Sequence, residues 1–229
     1  MTGPRAAWHK PTPVASLSFR IKKKLGKKLF GFNRARRYVH LTRLVSATAA
    51  KKILEIGVFN GRHALEMIQA AQAASPGATI EYFGFDLFEA LDEAWRAAEH
   101  SKMPLPKAEI EALLVKTGAK IQLFAGDTTR TLPEAASRLP EMDFILIDGG
   151  HAPATIESDF RSVLPLMGPK TVVLFDDYWN DDAAGCKTLI DGLDRSAFEV
   201  EHLSPIDRFL REWGTQEISM VRVQRRSRA

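Results

Sequence analysis

Two short apolar runs in this chain end abruptly in acidic residues. Residues 145–147 are followed by Asp148, and residues 173–175 are followed by Asp176 and Asp177. Such runs are typical of buried parallel strands, which lie about 5 Å apart and present their carboxyl ends at one edge of a sheet. If the two strands are neighbours, three carboxylates converge, and a hard divalent cation such as Mg²⁺ would relieve their repulsion. The sequence therefore predicts a metal site at Asp148, Asp176 and Asp177.

A histidine accompanies these acids. His151 lies three residues after Asp148, and an imidazole with a pKa of about 6.5 can accept a proton from a hydroxyl group. Its other possible roles are to orient an aspartate or simply to begin a helix. If Asp176 and Asp177 are both extended, their side chains point in opposite directions, so that one binds metal and the other pairs elsewhere. Asp148 and His151 are the candidate catalytic residues. Tyr178 and Trp179 are candidates for lining an acceptor pocket, although aromatic side chains more often serve in packing.

A second group of residues favours a nucleoside site. The segment Glu55-x-Gly57-x-Phe59-Asn60-Gly61 follows a strand at 53–56 and opens a helix at 61–74. Its glycines allow a tight turn and a close approach of the helix start to a ligand. Asp86 ends the next strand, where an acid can accept hydrogen bonds from ribose hydroxyls. Gly126 and Asp127 end a third strand, where an acid can meet an adenine amine. Each of these residues alone is just as typical of an ordinary turn or a helix cap as of a nucleoside site.

The elements that must position these residues alternate between strand and helix from residue 52 onward. This alternation predicts a single α/β domain with a largely parallel sheet. The runs at 198–202 and 218–223 are joined by about fifteen residues, a length that suits an antiparallel pair. We assign residues 38–229 to this domain.

Composition adds weaker constraints. The 229 residues are 45% hydrophobic and 26% charged, with a net charge of +4 and one cysteine, Cys186. We expect a cytoplasmic protein, because no apolar run has the length of a membrane helix and no signal-like segment stands at the start. Residues 1–37 form a basic N-terminal arm, either mobile or partly helical. Such an arm can bind nucleic acid or anionic lipid, or can be merely solvated.

Together, these motifs resemble the S-adenosylmethionine site of class I methyltransferases over about residues 50–180. Asp148-Gly149-Gly150-His151 and Phe175-Asp176-Asp177-Tyr178 resemble the metal-dependent O-methyltransferase branch, which includes macrolide-sugar and aminocoumarin O-methyltransferases. The resemblance implies a Rossmann-like α/β sandwich, with helices on both faces of a seven-stranded sheet whose last strand is antiparallel. It implies that Glu55, Gly57, Asp86 and Asp127 hold the cofactor, that the three aspartates hold Mg²⁺, and that His151 is a catalytic base. The further candidate cofactor contacts are Phe59, Asn60, Gly61 and Gly126.

The predicted function is S-adenosylmethionine-dependent, Mg²⁺-assisted O-methylation of a small hydroxylated molecule, by a possible homodimer. One alternative is an RNA methyltransferase that uses the basic arm. Another is a nicotinamide-dependent oxidoreductase, although the glycine spacing and the carboxylate cluster count against it. A third is a cofactor-binding scaffold without catalysis, which the presence of all three aspartates opposes.

Overall fold

The computed structural model of the protein describes residues 35–99, 102–211 and 214–226. The strands in these ranges are β1 (Lys52–Ile56), β2 (Glu81–Asp86), β3 (Lys120–Ala125), β4 (Met142–Ile147), β5 (Met167–Trp179), β6 (Phe198–His202), β7 (Asp207–Arg211) and β8 (Gly214–Arg225). The helices are α1 (Val39–Ala47), α2 (Arg62–Ala74), α3 (Glu93–Ala98), α4 (Lys107–Leu114), α5 (Thr128–Ala136), α6 (Pro153–Val163) and α7 (Lys187–Asp191). Among these described helices, none combines the length and the apolar character needed to cross a membrane.

The strands form one sheet in the order β3-β2-β1-β4-β5-β8-β6, with β7 also paired to β8. The first five strands in this order are parallel, and β8 runs antiparallel to β5. β6 pairs with residues 221–225 of β8, and β7 pairs with residues 214–218. These two short strands therefore follow one another along the same edge of β8. The predicted mostly parallel sheet with an antiparallel last strand is confirmed, and β7 is an addition to the seven predicted strands.

Helices cover both faces of the sheet, as predicted. Successive residues of a strand face opposite sides, so Ile53 of β1 lies in one apolar core and Leu54 lies in the other. Side chains of α1, α2 and α4 complete the first core, and side chains of α5, α6 and α7 complete the second. Because β1 and β4 are covered on both sides, most of their residues are apolar, although β1 also buries Glu55.

The order of the strands positions the site. The chain proceeds from β1 outward to β2 and β3, and then returns to β4 on the other side of β1. Ligands of open α/β sheets bind in the crevice that such a reversal leaves at the carboxyl ends of the strands. The glycine turn after β1 and the aspartates after β4 and within β5 lie at this edge.

The predicted basic arm lies almost wholly outside the described residues. Only its last residues, 35–37, are described, so the boundary at residue 37 stays a prediction. Arg37 is 6% exposed and packs within the domain, which differs from the reading of this basic cluster as solvated.

Candidate active site

A cavity of about 780 Å³ opens at the carboxyl ends of β1, β2, β4 and β5. It brings together residues that the sequence assigned to a nucleoside site and residues assigned to chemistry. The predicted site residues that line it are Gly57, Phe59, Asn60, Asp86, Asp127, Asp148, His151 and Asp177. The others, Glu55, Gly61, Gly126 and Asp176, lie behind or beside its wall.

The turn after β1 is shaped by its close approach to β4. Gly57 has a φ of +93°, and a Cβ added there would lie 2.1 Å from the main-chain oxygen of Asp148. Only glycine fits such a position without displacing the neighbouring strand. Gly61 is the N-cap of α2 and has a φ of +73°. A Cβ added there would lie 3.2 Å from the side chains of Ile110 and Leu113 of α4. The structure therefore relates both glycines to packing between elements, whereas Phe59 and Asn60 face the cavity.

The two acids of the predicted nucleoside site lie on the cavity wall. Asp86 accepts a hydrogen bond from the main-chain N–H of Phe59 at 2.7 Å, which fixes the acid against the glycine turn. Asp127 caps α5 by accepting hydrogen bonds from the main-chain N–H and the hydroxyl of Thr129 at 2.9 and 2.8 Å. Both carboxylates are thus held in place by short local contacts before any ligand arrives.

Glu55 has a different environment. It is fully buried in β1, where it accepts a hydrogen bond from the Tyr82 hydroxyl through Oε2, and its Oε1 has no hydrogen-bond partner. Burial, aided by the charges of Asp148 and Asp86, raises the pKa of Glu55 to about 8. This glutamate does not line the cavity, and its predicted contact with a cofactor stays a prediction.

The three aspartates converge as predicted, with one carboxylate oxygen from each lying within 4.8 Å of the others. A bulge in β5 makes this possible, because its pairing with β8 shifts register between Phe175 and Tyr178. Asp177, inside the bulge, has a φ of +57°. Left-handed backbone removes the strict alternation of a strand, so the side chains of two consecutive residues can approach the same centre.

Asp176 is the most enclosed of the three. It is 2% exposed, and the guanidinium of Arg37 binds both of its oxygens, from Nε at 2.5 Å and from Nη2 at 2.9 Å. The Tyr38 hydroxyl donates to Oδ2 at 2.7 Å, and the main-chain N–H of Asp177 donates to Oδ1 at 2.8 Å. Asp176 is therefore paired with a buried cation supplied by the chain itself.

Asp177 forms an ion pair with His151. Nε2 of His151 lies 2.8 Å from Oδ2 of Asp177, and Nδ1 lies 2.6 Å from the main-chain oxygen of Glu99. Because both partners are acceptors, both ring nitrogens donate and the imidazole is cationic. Burial lowers the pKa of His151, but the charge and hydrogen bond of Asp177 outweigh it and raise the pKa to about 9. Burial raises the pKa of Asp177, but the charge and hydrogen bond of His151 are the main causes that outweigh burial and lower this pKa to about 2.

Ionisation of Asp148 is opposed by its surroundings. Burial and the charges of Asp176 and Asp177 raise its pKa well above the usual range. Oδ2 of Asp148 lies 3.4 Å from Nδ1 of His63, a residue of α2 whose ring packs on Tyr38 with centroids 4.2 Å apart. A cation near Asp148 would favour its ionised form.

Several residues of the site were not identified from the sequence. Arg37 and Tyr38 precede the first strand. For His63, in the first turn of α2, the sequence left open whether it faces a cofactor or is exposed, and the structure places it at the cavity wall. Glu99 also binds the loop after β4, because its carboxylate accepts hydrogen bonds from the N–H of Ala152 and the hydroxyl of Thr155. Trp179 lines the cavity, as the sequence suggested, and its indole N–H donates to Asp177 at 2.9 Å. Tyr178, the other aromatic candidate, does not line it, and its hydroxyl donates to Asp191. No sequence motif links residues so far apart in the chain.

The site fits the two groups that the sequence implied. Carboxylate oxygens are the ligands that Mg²⁺ prefers, and three of them, one from each aspartate, lie within 4.8 Å of one another. The cavity is within the usual range for small-molecule sites, about 300–1,000 Å³, and its walls include the acids Asp86 and Asp127. An adenosine group has hydroxyls and an amine that these acids can bind.

Comparison with known proteins agrees with this geometry. A model of a family described as a methyltransferase domain matches residues 54–178, more than half of the chain. No curated protein sequence matches the chain. Among solved structures, the chain is similar to the O-methyltransferase TomG of Streptomyces achromogenes, which is involved in tomaymycin synthesis and was solved with SAM. The TM-score is 0.57 and the identity 16%, over 89% of this chain and 88% of TomG.

Two further solved structures share the fold. An O-methyltransferase of Bacillus cereus, solved with SAH, gives a TM-score of 0.53 at 16% identity, over 93% of this chain and 94% of that chain. MycE, a methyltransferase of the mycinamycin biosynthetic pathway solved with Mg and SAH, gives a TM-score of 0.51 at 17% identity. That match covers 89% of this chain but 54% of MycE. At these identities the similarity concerns the fold.

Proposed function

Because this chain belongs to the methyltransferase-domain family, we propose that it transfers a methyl group from S-adenosylmethionine to a hydroxyl oxygen of a small molecule, assisted by Mg²⁺ or another divalent cation. The observation that carries the proposal is one cavity whose wall includes both groups of predicted residues. Asp86 and Asp127 belong to the predicted nucleoside site, and Asp148, His151 and Asp177 belong to the residues assigned to chemistry. The fold relatives TomG and MycE, which bind SAM or SAH, support the choice of cofactor.

In this proposal Asp86 and Asp127 hold the adenosine part of the cofactor, and Gly57, Phe59 and Asn60 form the adjoining wall. When bound, S-adenosylmethionine supplies a methyl group that is already activated. The chain's task is then to hold an oxygen nucleophile in line with that methyl group. The preformed hydrogen bonds of Asp86 and Asp127 reduce the ordering that binding requires.

Asp148 and Asp177 would hold the divalent cation at the cavity wall, where it would lower the pKa of an acceptor hydroxyl. Asp176 was predicted as a third ligand, and its pairing with Arg37 is considered below. His151 handles the proton in this proposal. To accept it at Nε2, the imidazole must first lose the proton that it shares with Asp177, because both of its nitrogens donate in the structure.

The acceptor is proposed to be a small molecule because aromatic side chains line the cavity. They include Tyr38, Trp95 and Trp179, of which Tyr38 and Trp179 also donate hydrogen bonds to the aspartates. Flat apolar walls of this kind suit a ring-bearing alcohol or phenol. In the part of the chain that the structure describes, we find no feature that favours the RNA alternative, and membership of a methyltransferase family removes support from the nicotinamide alternative.

The proposal is tested first by calorimetric titration with S-adenosylhomocysteine, with NAD as the comparison ligand. We expect the nucleoside product to bind and NAD not to bind. Asp86→Ala should weaken this binding by about 1.5–3 kcal/mol, because hydrogen bonds to a charged group are lost. Asp194→Ala removes an exposed acid far from the cavity and serves as the control. Equal affinity for the wild type and Asp86→Ala would show that the ribose lies elsewhere.

Methyl transfer itself is measured with radiolabelled S-adenosylmethionine and a panel of catechols, phenols and sugars. The proposal expects a product whose formation needs a divalent cation and is lost in Asp148→Asn. Turnover that is unaffected by a chelator would remove the metal from the proposal and leave the methyltransferase assignment intact.

A further inference from the structure

Arg37 separates one of the three aspartates from the cavity. Its guanidinium lines the cavity wall, as do Asp148 and Asp177, whereas Asp176 does not line it. Asp176 is 2% exposed, and Arg37 and Tyr38 both bind it from the cavity side of the cluster. A ligand in the cavity can therefore contact Arg37, which separates it from Asp176.

The hydrogen bonds of Asp176 leave it little capacity for another partner. An ionised carboxylate offers about four lone-pair sites. Oδ1 accepts from Nε of Arg37 and from the N–H of Asp177, and Oδ2 accepts from Nη2 of Arg37 and from the Tyr38 hydroxyl. All four sites are thus used by donors of the chain.

Arg37 is itself anchored from a second direction. Its Nη1 donates to Oδ2 of Asp207 at 3.0 Å, and its main-chain N–H donates to the same oxygen at 3.3 Å. The main-chain N–H of Arg36 donates to Oδ1 of Asp207 at 2.9 Å. Asp207 begins β7, the strand that the sequence did not predict. The guanidinium is therefore held between two buried carboxylates and cannot leave Asp176 without breaking several hydrogen bonds.

We propose that Arg37 is a positioning residue that withholds Asp176 from the divalent cation, so that Asp148 and Asp177 are the carboxylates that bind it. This inference rests on the proposed function, because it concerns the cation of the same site. Arg37 also lies 3.8 Å from Oδ1 of Asp177, so its positive charge opposes the cation directly. Both effects make the site weaker for divalent metals than three available aspartates would be.

The test is Mn²⁺ binding, measured by electron paramagnetic resonance on the full chain without cofactor or acceptor. Arg37→Gln should tighten Mn²⁺ binding about tenfold, because it removes a nearby positive charge and releases Asp176. Arg36→Gln is the matched control, since Arg36 is the exposed neighbour and loses the same charge. A residue with a merely structural role would weaken the site when replaced, so the direction of the change is decisive.

Two measurements identify Asp176 as the released ligand. In Arg37→Gln, water-proton relaxation should report fewer water molecules on the bound Mn²⁺, because a carboxylate replaces water. The double variant Arg37→Gln/Asp176→Asn should lose the gain in affinity. If Arg37→Gln does not fold, as judged by its melting curve, Arg37→Lys replaces it, because lysine cannot bind both oxygens of Asp176 in a fork.

Weaker or unchanged Mn²⁺ binding in a folded Arg37 variant would overturn the proposal. If the wild type binds no Mn²⁺, the appearance of Asp148-dependent binding in Arg37→Gln supports the proposal, and its absence overturns it. Binding of S-adenosylhomocysteine is measured on the same proteins. If a folded Arg37 variant still binds S-adenosylhomocysteine and its Mn²⁺ affinity is unchanged, only the proposed role of Arg37 is rejected. If the wild type does not bind S-adenosylhomocysteine, the proposed function is rejected.

Discussion

At the scale of single residues, the pairing of His151 with Asp177 decides the protonation of the site. Sequence reasoning placed both residues correctly at one cavity but assigned His151 an ordinary pKa. The structure adds the main-chain oxygen of Glu99, which lies 2.6 Å from Nδ1 and makes the ring a donor at both nitrogens. The acceptor comes from a distant segment, so the sequence around His151 contains no sign of it.

This pair makes the stability of the protein depend on pH. The pKa of His151 is raised from 6.5 to about 9 in the folded protein, so the folded state binds this proton more tightly than the unfolded state does. Its stabilising contribution is complete below pH 6.5 and is lost as the pH rises through 9. We expect the difference in unfolding free energy between the wild type and His151→Gln to shrink over that interval.

Urea unfolding at a series of pH values, with a chelator present, measures this difference. His202→Gln, which changes an exposed histidine on β6, is the control for general effects of pH. A constant difference between the wild type and His151→Gln from pH 6 to 10 would show that the ion pair contributes nothing to stability.

At the scale of elements, two deviations from regular strand geometry build the site. The bulge in β5 sets the direction of Asp176 and Asp177, and the turn after β1 fits against the end of β4. If both residues were extended, their side chains would point in opposite directions. Asp177 instead adopts left-handed backbone, which aspartate tolerates better than most residues.

Gly57→Ala tests the importance of the turn. Alanine at this position combines an unfavourable positive φ with a contact of 2.1 Å to the Asp148 oxygen. We expect a loss of roughly 2–5 kcal/mol in unfolding free energy. Gly118→Ala is the matched control, because Gly118 has a φ of +77° and no atom within 4 Å of an added Cβ. It should cost roughly 1–2 kcal/mol.

Thermal or urea unfolding of the two variants provides the comparison. Equal losses would mean that only backbone conformation matters at Gly57 and that the end of β4 moves aside at little cost.

At the scale of the whole molecule, the start of the described chain is joined to its C-terminal strands through the site. Arg37 connects Asp176 of β5 with Asp207 of β7. The boundary of the arm after residue 37 stays a prediction, and Arg37 itself is buried between these two acids.

Two truncated forms test the role of Arg37. A chain that begins at residue 38 should be less stable by about 3–5 kcal/mol than a chain that begins at residue 35, because Asp176 and Asp207 then remain buried without their cation. Unfolding by urea measures both forms at neutral pH, and equal stability of the two would contradict a structural role for Arg37.

The sequence by itself determined the class of fold, the family and eight of the residues that line the cavity. Buried parallel strands have recognisable apolar runs, and residues that follow such runs must share one edge of the sheet. For this reason Asp86, Asp127, Asp148 and His151 could be placed together without coordinates. The match of the methyltransferase family to residues 54–178 confirms the predicted family.

Only the tertiary structure decided how the acids of the site are paired. Arg37 and Asp176 are 139 positions apart in the chain. No local sequence pattern indicates which cation forms an ion pair with a buried carboxylate. Likewise, a register shift between β5 and β8 turned Asp177 toward His151, although the sequence of β5 alone describes a regular strand. Hydrogen-bond partners depend on distances of a few tenths of an ångström, and only the packing of whole elements sets such distances.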